Sequence, residues 1–146
     1  MEKDCIAEID GLHVFFVDWL GGTLPDTGRD FARCAGALGE GFILVGPHGQ
    51  ATTRQVLLGR LERAHGARAD ADPPFAIRIE NPKLLRQWED HALFTYEEWQ
   101  DGASGTLGTT GRISTALFAR DGSAPGKVAW LHLHETWIDG HGPQGR

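Results

Sequence analysis

Three stretches in the second half of the chain, Ala92 to Gln100, Arg112 to Arg120 and Lys127 to Ile138, change side-chain type almost residue by residue. Such alternation places successive side chains on opposite faces of a strand and leaves no helical stripe. The runs Asp101-Gly102-Ala103-Ser104-Gly105 and Asp121-Gly122-Ser123-Ala124-Pro125-Gly126 divide them. Turn formers at that spacing make hairpins, and hairpins make antiparallel neighbours. A fourth β-rich stretch, Phe75 to Glu80, meets Asn81-Pro82. A proline cannot donate to a ladder, so an edge position, a bend or a bulge is predicted there. A meander of this kind has one face to cover.

The first half supplies the cover. Ile6, Ile9, Leu12, Phe16, Val17 and Leu20 recur at helical steps, Phe15 and Trp19 widen the stripe, and Gly21-Gly22 ends it. A second helix is predicted over Asp30 to Leu38, then a strand Phe42 to Val45 closed by Gly46-Pro47-His48-Gly49. Thr52 or Thr53 caps a third helix with Val56, Leu57, Leu61 and Ala64 on its apolar side, ended by Gly66. Helices first and an antiparallel meander after them is an α+β plan, with the helices on one face of a curved sheet.

All 146 residues are read as one domain, since neither half closes a core alone. The net charge of −6 comes without a basic cluster, so a nucleic-acid partner is not expected. No apolar run is long enough for a membrane span, and the charged Met1-Glu2-Lys3-Asp4 start fits a cytoplasmic protein. Cys5 and Cys34 stand outside any zinc or thioredoxin spacing and are read as free thiols. GxSxG, Walker and HExxH patterns are missing, so hydrolase, nucleotide and zincin readings lack support and no cofactor is expected.

The order of elements resembles the nuclear transport factor 2-like superfamily. The resemblance spans about residues 5 to 139 and is carried by the Phe42 to Gly49 strand with its Pro47-His48-Gly49 turn, by Arg120-Asp121-Gly122, and by Trp130 followed by His132-Leu133-His134. Within the superfamily it is similar to SnoaL-like polyketide cyclase relatives and to the association domain of calmodulin-dependent kinase II. The resemblance implies a cystatin-like α+β cone roll, three N-terminal helices on a strongly curved, mostly antiparallel sheet. It also implies a cavity on the concave side and a homodimer through the outer sheet face. Where the kinase domain lines its cavity with arginines, the corresponding positions here are Thr95, Thr115 and Glu135.

Alternation along Trp130 to Trp137 sets Leu131, Leu133, Glu135 and Trp137 on one face and Trp130, His132, His134 and Thr136 on the other. The first set looks like a core carrying one carboxylate, which must be paired, wetted or protonated. Glu135 is therefore the leading pocket residue, with Ile113, Thr115 and Leu117 expected beside it. A structural Glu135 held by an arginine such as Arg112 is the rival reading. On the preceding strand, Leu93, Thr95, Glu97 and Trp99 compete for the inner face with Ala92, Phe94, Tyr96 and Glu98; the reading favours Glu97 inside. Two carboxylates in one apolar cavity raise at least one pKa and make an acid or base. His13, one helical turn from Asp10, is the third candidate, as a base or a satisfied core histidine. Trp19, Trp99 and Trp137 would wall the pocket, unless they are core. His132 and His134 have metal-ligand spacing without a third partner, so no metal is expected, and with Trp130 they are read as an outward dimer face.

These residues support a small-molecule-binding cavity for a partly aromatic ligand, or for the polyketide-like ligand that the resemblance implies. The alternatives are a cofactor-free isomerase, cyclase or dehydratase with Glu135 or Glu97 as acid-base and His13 or Tyr96 assisting, and a non-catalytic dimeric assembly module.

Overall fold

The computed structural model describes residues 1–103 and 108–143. Ser104 and Gly105 of the predicted Asp101-to-Gly105 connection lie outside the described residues. Helix α1 (Glu2–Leu20) starts four residues earlier than its apolar stripe, with Glu2 and Asp4 in a first turn whose free N–H groups favour acids. It ends where Gly22 takes a left-handed φ of 78° and Thr23 N–H bonds back to Asp18 O at 2.9 Å. Helix α2 (Gly28–Ala35) is set by Thr27, whose hydroxyl accepts from Asp30 N–H at 3.1 Å. The second helix is therefore shifted N-terminally from its predicted range, and Leu38 opens a strand instead. Helix α3 (Arg54–Arg63) is capped by Thr53, which accepts from Val56 N–H at 3.3 Å.

The strands are β1 (Leu38–Val45), β2 (Ala51–Thr53), β3 (Ala76–Gln87), β4 (His91–Asp101), β5 (Thr110–Arg120) and β6 (Val128–Trp137). They form one sheet in the order β2-β1-β6-β5-β4-β3. Every pairing is antiparallel except that of β1 with β6. The fold is α+β, as the sequence pattern predicts. Among the described residues no helix is long and apolar enough to cross a membrane.

Strand β3 is an edge strand and runs through Pro82. Its pairing with β4 slips between Glu80 and Lys83, with Asn81 at a φ of 53°. The ladder absorbs the proline by a bulge at the edge, as its missing donor requires.

The core lies between α1 and the concave face of the sheet, with Ile9, Leu12, Phe15 and Trp19 against Phe94, Phe118, Val128 and Trp130. Trp130, 1% exposed, overturns the strict alternation read along β6. Leu117 pairs with His132 and Phe118 with Trp130, which leaves Leu131 as an extra residue. That bulge reverses the parity, so Trp130 and Glu135 both point inward despite an odd separation. Trp130 donates from Nε1 to Glu8 Oε2 at 2.9 Å, and Arg33 holds the same carboxylate at 2.7 Å through Nη2. Glu8 is thus a buried charge with its partners in place. Cys5 and Cys34 are buried and unpaired.

Candidate functional site

Two ladders place six side chains of the concave face in a grid. Tyr96 of β4 lies opposite Ser114 of β5, which lies opposite Glu135 of β6. In the next row Glu98 lies opposite Arg112, which lies opposite Trp137. Cross-strand partners on one face stand close enough for their polar ends to interact. Arg112 reaches diagonally to Glu135, Nη1 to Oε1, at 3.3 Å, and the Trp137 ring lies 4.8 Å from the guanidinium carbon.

Helix α1 brings His13 onto this grid. Its Nε2 is 3.0 Å from Glu98 Oε1 and its Nδ1 is 2.6 Å from Ile9 O. Both ring nitrogens face acceptors, and a neutral imidazole can donate only once, so the pair is satisfied with His13 as imidazolium and Glu98 as carboxylate. Burial opposes the charge on His13, but the Glu98 carboxylate and its hydrogen bond raise the pKa above the usual 6.5. Burial likewise opposes the Glu98 charge, yet His13 first, then Arg112 and the Gln100 amide, bring it down to about 2.

Glu135 is pushed the other way. Burial and the neighbouring Glu98 charge raise it to about 7, against the pull of Arg112 and His13. Like charges in one apolar site cannot both stay ionised at low cost, so the two acids separate into a fixed anion and a group that titrates at neutrality. Tyr96 is raised well above 10 by burial and by both carboxylates. Its hydroxyl and that of Ser114 close no well-formed hydrogen bond.

Above this floor is a cavity of about 210 Å³. Its walls are apolar, built by Leu12, Phe16 and Leu20 of α1, Leu38, Phe42 and Leu44 of β1, and Leu57 and Leu61 of α3. Trp130, Leu133, Phe75 and Ile77 complete them, while His13, Glu98, Gln100, Arg112 and Glu135 supply the polar patch.

Of the residues singled out from sequence, Glu135, His13 and Leu133 line this cavity. Glu97 does not: it sits on the outer face, bound by Asn81 Nδ2 and Trp99 Nε1 at 3.0 Å each. Those hydrogen bonds, Asn81's first, lower its pKa. Thr95 and Trp99 share its face, because Ala92, Phe94, Tyr96 and Glu98 are the buried set of β4. Thr115 and Leu117 also point away, opposite His134 and His132, and Ile113 is 42% exposed. The neighbour of Glu135 is Ser114, one residue off the predicted register. Trp19 is core, stacked on Phe15 with ring centres 5.6 Å apart and donating to Leu61 O at 2.7 Å. Trp137 covers Arg112 at the rim and does not line the chamber. His13 pairs with Glu98 across the fold, while Asp10 is exposed.

His132 and His134 are on the outer side of β6 with ring centres 6.4 Å apart. Among the described residues no group of three or more His, Cys, Asp or Glu side chains is placed to hold a metal. Trp130 belongs to the core and is removed from the outward face predicted for it.

Glu98, Gln100 and Arg112 are polar residues of the cavity wall that the sequence reading does not choose, although it weighs Glu98 for the inner face and Arg112 as a partner of Glu135. A usable signal lies in Gly111, which pairs with Trp99: a Cβ there would stand 2.5 Å from the indole. Trp99 lying over a glycine puts the odd-numbered set of β4 on the side away from Arg112 and Ser114.

No family model matches the chain, and no curated protein matches it. Solved structures do. An NTF-2 like protein of unknown function from Pseudomonas aeruginosa is 29% identical and superposes with a TM-score of 0.78 over 92% of this chain and 98% of that one. The CaMKII hub of S. rosetta is 12% identical, with a TM-score of 0.69 over 93% and 95% of the two chains. An uncharacterized protein with a cystatin-like fold from Caulobacter vibrioides is 14% identical, with a TM-score of 0.66 over 93% and 88%. The chain has the cystatin-like fold of the nuclear transport factor 2-like proteins, which are its structural neighbours.

Proposed function

We propose that this protein binds a small organic molecule in the chamber between α1, α3 and the concave sheet face. The supporting observation is the asymmetry of the lining: apolar on nearly every side, polar on one patch built from Glu98, Arg112, Glu135 and His13. Such a chamber buries a hydrocarbon or aromatic body and orients it by one polar end. At about 210 Å³ it exceeds the ~150 Å³ that accepts a benzene ring and falls short of the ~300 Å³ at which drug-sized pockets begin. The size favours a ligand of one ring over the larger polyketide-like molecule that the family resemblance implies. The test is a ligand-observed NMR screen of single-ring compounds, repeated on Leu133→Trp. Hits that compete with one another and vanish in the filled variant support the reading; hits unaffected by filling the chamber refute it.

A second reading, proton-transfer catalysis without a cofactor, is favoured by Glu135, a buried carboxyl brought to about 7 beside a fixed Glu98 anion. A group half-ionised at neutrality is suited to accept and return a proton. Glu97 has no part in this reading, and His13 with Glu98 would position Glu135. The outer face of β4 to β6, with exposed Ile113 and half-buried Leu93, Leu117 and His132, is the proposed seat of a homodimer. Light scattering of wild type against Ile113→Lys tests it: a dimer converted to monomer is the supporting result.

A further inference from the structure

Arg112 is the cation of the cavity wall with donors to spare. His13 is matched by Glu98 at 3.0 Å, whereas Arg112 touches Glu135 through a single contact of 3.3 Å. A guanidinium and a carboxylate at their best make two parallel bonds of about 2.7–2.9 Å. The Arg112 Nε–H is buried and donates to no group, and Trp137 lies against the guanidinium. A planar fork is therefore held on the rim of an apolar chamber, loosely tied to an acid that has less than its full hold on the charge.

An incoming carboxylate can make the two-bond pair that Glu135 does not. Two adjoining carboxylates on one guanidinium, with Glu98 behind them, cannot both keep their charge in apolar surroundings. Resting on the ligand-binding reading above, we propose that the chamber takes a small organic acid as its anion, with its carboxylate on Arg112, and that Glu135 binds a solvent proton as the anion arrives. Anion and proton are taken up together. The charged and titratable groups facing Glu135 are Arg112 from β5, Glu98 and Tyr96 from β4, and His13 from α1. Strand β1 and helix α3 present only Phe42 and leucines to the chamber. Glu98 is pinned by His13, so the exchangeable proton belongs to Glu135.

The sign follows. Glu135 in the free protein titrates near 7, and an added anion raises that value further. Above neutrality the free carboxyl is ionised and must gain a proton for the anion to enter, so affinity falls with rising pH by up to about tenfold per pH unit. A neutral molecule of the same shape carries no such penalty.

The probes are benzoate and benzyl alcohol, measured by titration calorimetry in two buffers of different ionisation enthalpy. Benzoate is expected to bind with close to one proton taken up above pH 7 and to weaken by about tenfold per unit, while benzyl alcohol binds independently of pH. In Glu135→Gln, benzoate should bind without proton uptake and with a flat pH profile. In Arg112→Gln and Arg112→Lys, benzoate should lose at least about tenfold in affinity while benzyl alcohol, which also reports correct folding, is retained. Benzoate binding with no proton exchange, or benzyl alcohol binding where benzoate does not, overturns the coupled uptake and leaves the cavity reading standing. Binding of neither probe overturns both.

Discussion

Replacing His13 with leucine removes the partner of Glu98 while keeping a side chain of similar bulk. The two groups meet at 3.0 Å, at 5% exposure for the residue His13 and 4% for Glu98. The fall of Glu98 from the usual 4.5 to about 2, at about 1.4 kcal/mol per pH unit, corresponds to about 3 kcal/mol. Removing one member of a buried pair costs ~3–5 kcal/mol in general, so His13→Leu should lose about 3 kcal/mol or more at neutral pH. The pH dependence carries the proof. In the wild type the contribution of Glu98 is complete above 4.5 and fades as pH falls towards 2. That of His13, whose pKa is raised, is complete below 6.5 and is lost as pH climbs through its folded value. In the variant, Glu98 keeps Gln100 and the neighbouring Arg112 but loses its main partner, and its pKa rises; once pH is below 6.5 and the His13 contribution to the wild type is complete, further acidification protonates Glu98 and the deficit shrinks. The double variant His13→Leu/Glu98→Leu, which removes both charges, should recover most of the loss. Urea denaturation of the four proteins in the cycle at about pH 6 and about pH 4.5 is the assay. A single variant within about 0.5 kcal/mol of wild type, or a deficit that grows on acidification, would refute the ion-pair assignment.

Trp130→Phe should destabilise by about 1–3 kcal/mol, since it removes the Nε1 donor to Glu8 but leaves Arg33 in place, and the same urea titration measures it. Gly111→Ala should cost about 1–3 kcal/mol in melting experiments, because its Cβ would stand 2.5 Å from Trp99. Cys5 and Cys34 are raised by burial to about 11 and about 12, so alkylation at neutral pH should proceed only at the rate of unfolding; rapid labelling of the native protein would contradict their burial. Glu97→Gln should leave single-ring ligand binding unchanged within about twofold, because Glu97 lies across the sheet from the chamber; a loss of tenfold or more would place it in the site after all.

Periodicity carries information about elements and which residues share a face, and it located the helices, the meander and the interruption at Pro82. It does not say which face is inner. On β4 each alternate set holds one glutamate and two large apolar or aromatic groups, so the choice rests on contacts far along the chain: His13 against Glu98, and Gly111 beneath Trp99. On β5 the prediction failed by one residue. Hairpin register decides every orientation at once, and the loop residues of the β4–β5 and β5–β6 turns carry no sharp signature for it. On β6 the bulge at Leu131 broke a rule that the sequence obeys on paper, which is why Trp130 was assigned to the outside and Glu135 to the inside by the same pattern. Glu135 survived because it follows the bulge along with Leu133. The parallel pairing of β1 with β6 and the three-residue β2 have no local signal at all. Thr27 and Thr53, by contrast, show how a single hydroxyl fixes a helix start, and Thr27 is the cap that sets the second helix ahead of its predicted range.

Strand β6 is late in chain order but lies inside the sheet, flanked by β1 on one side and β5 on the other. During translation, therefore, a nascent polypeptide ending before Val128 leaves β1 and β5 with open edges and lacks the buried Trp130 and Glu135 that β6 contributes. Unsatisfied edges of that sort invite pairing between neighbouring chains on a polysome. The cavity floor is completed in one step, with the emergence of this ribbon from the ribosome, and a truncation that removes it leaves β1 and β5 unpaired on that side and the cavity without a wall.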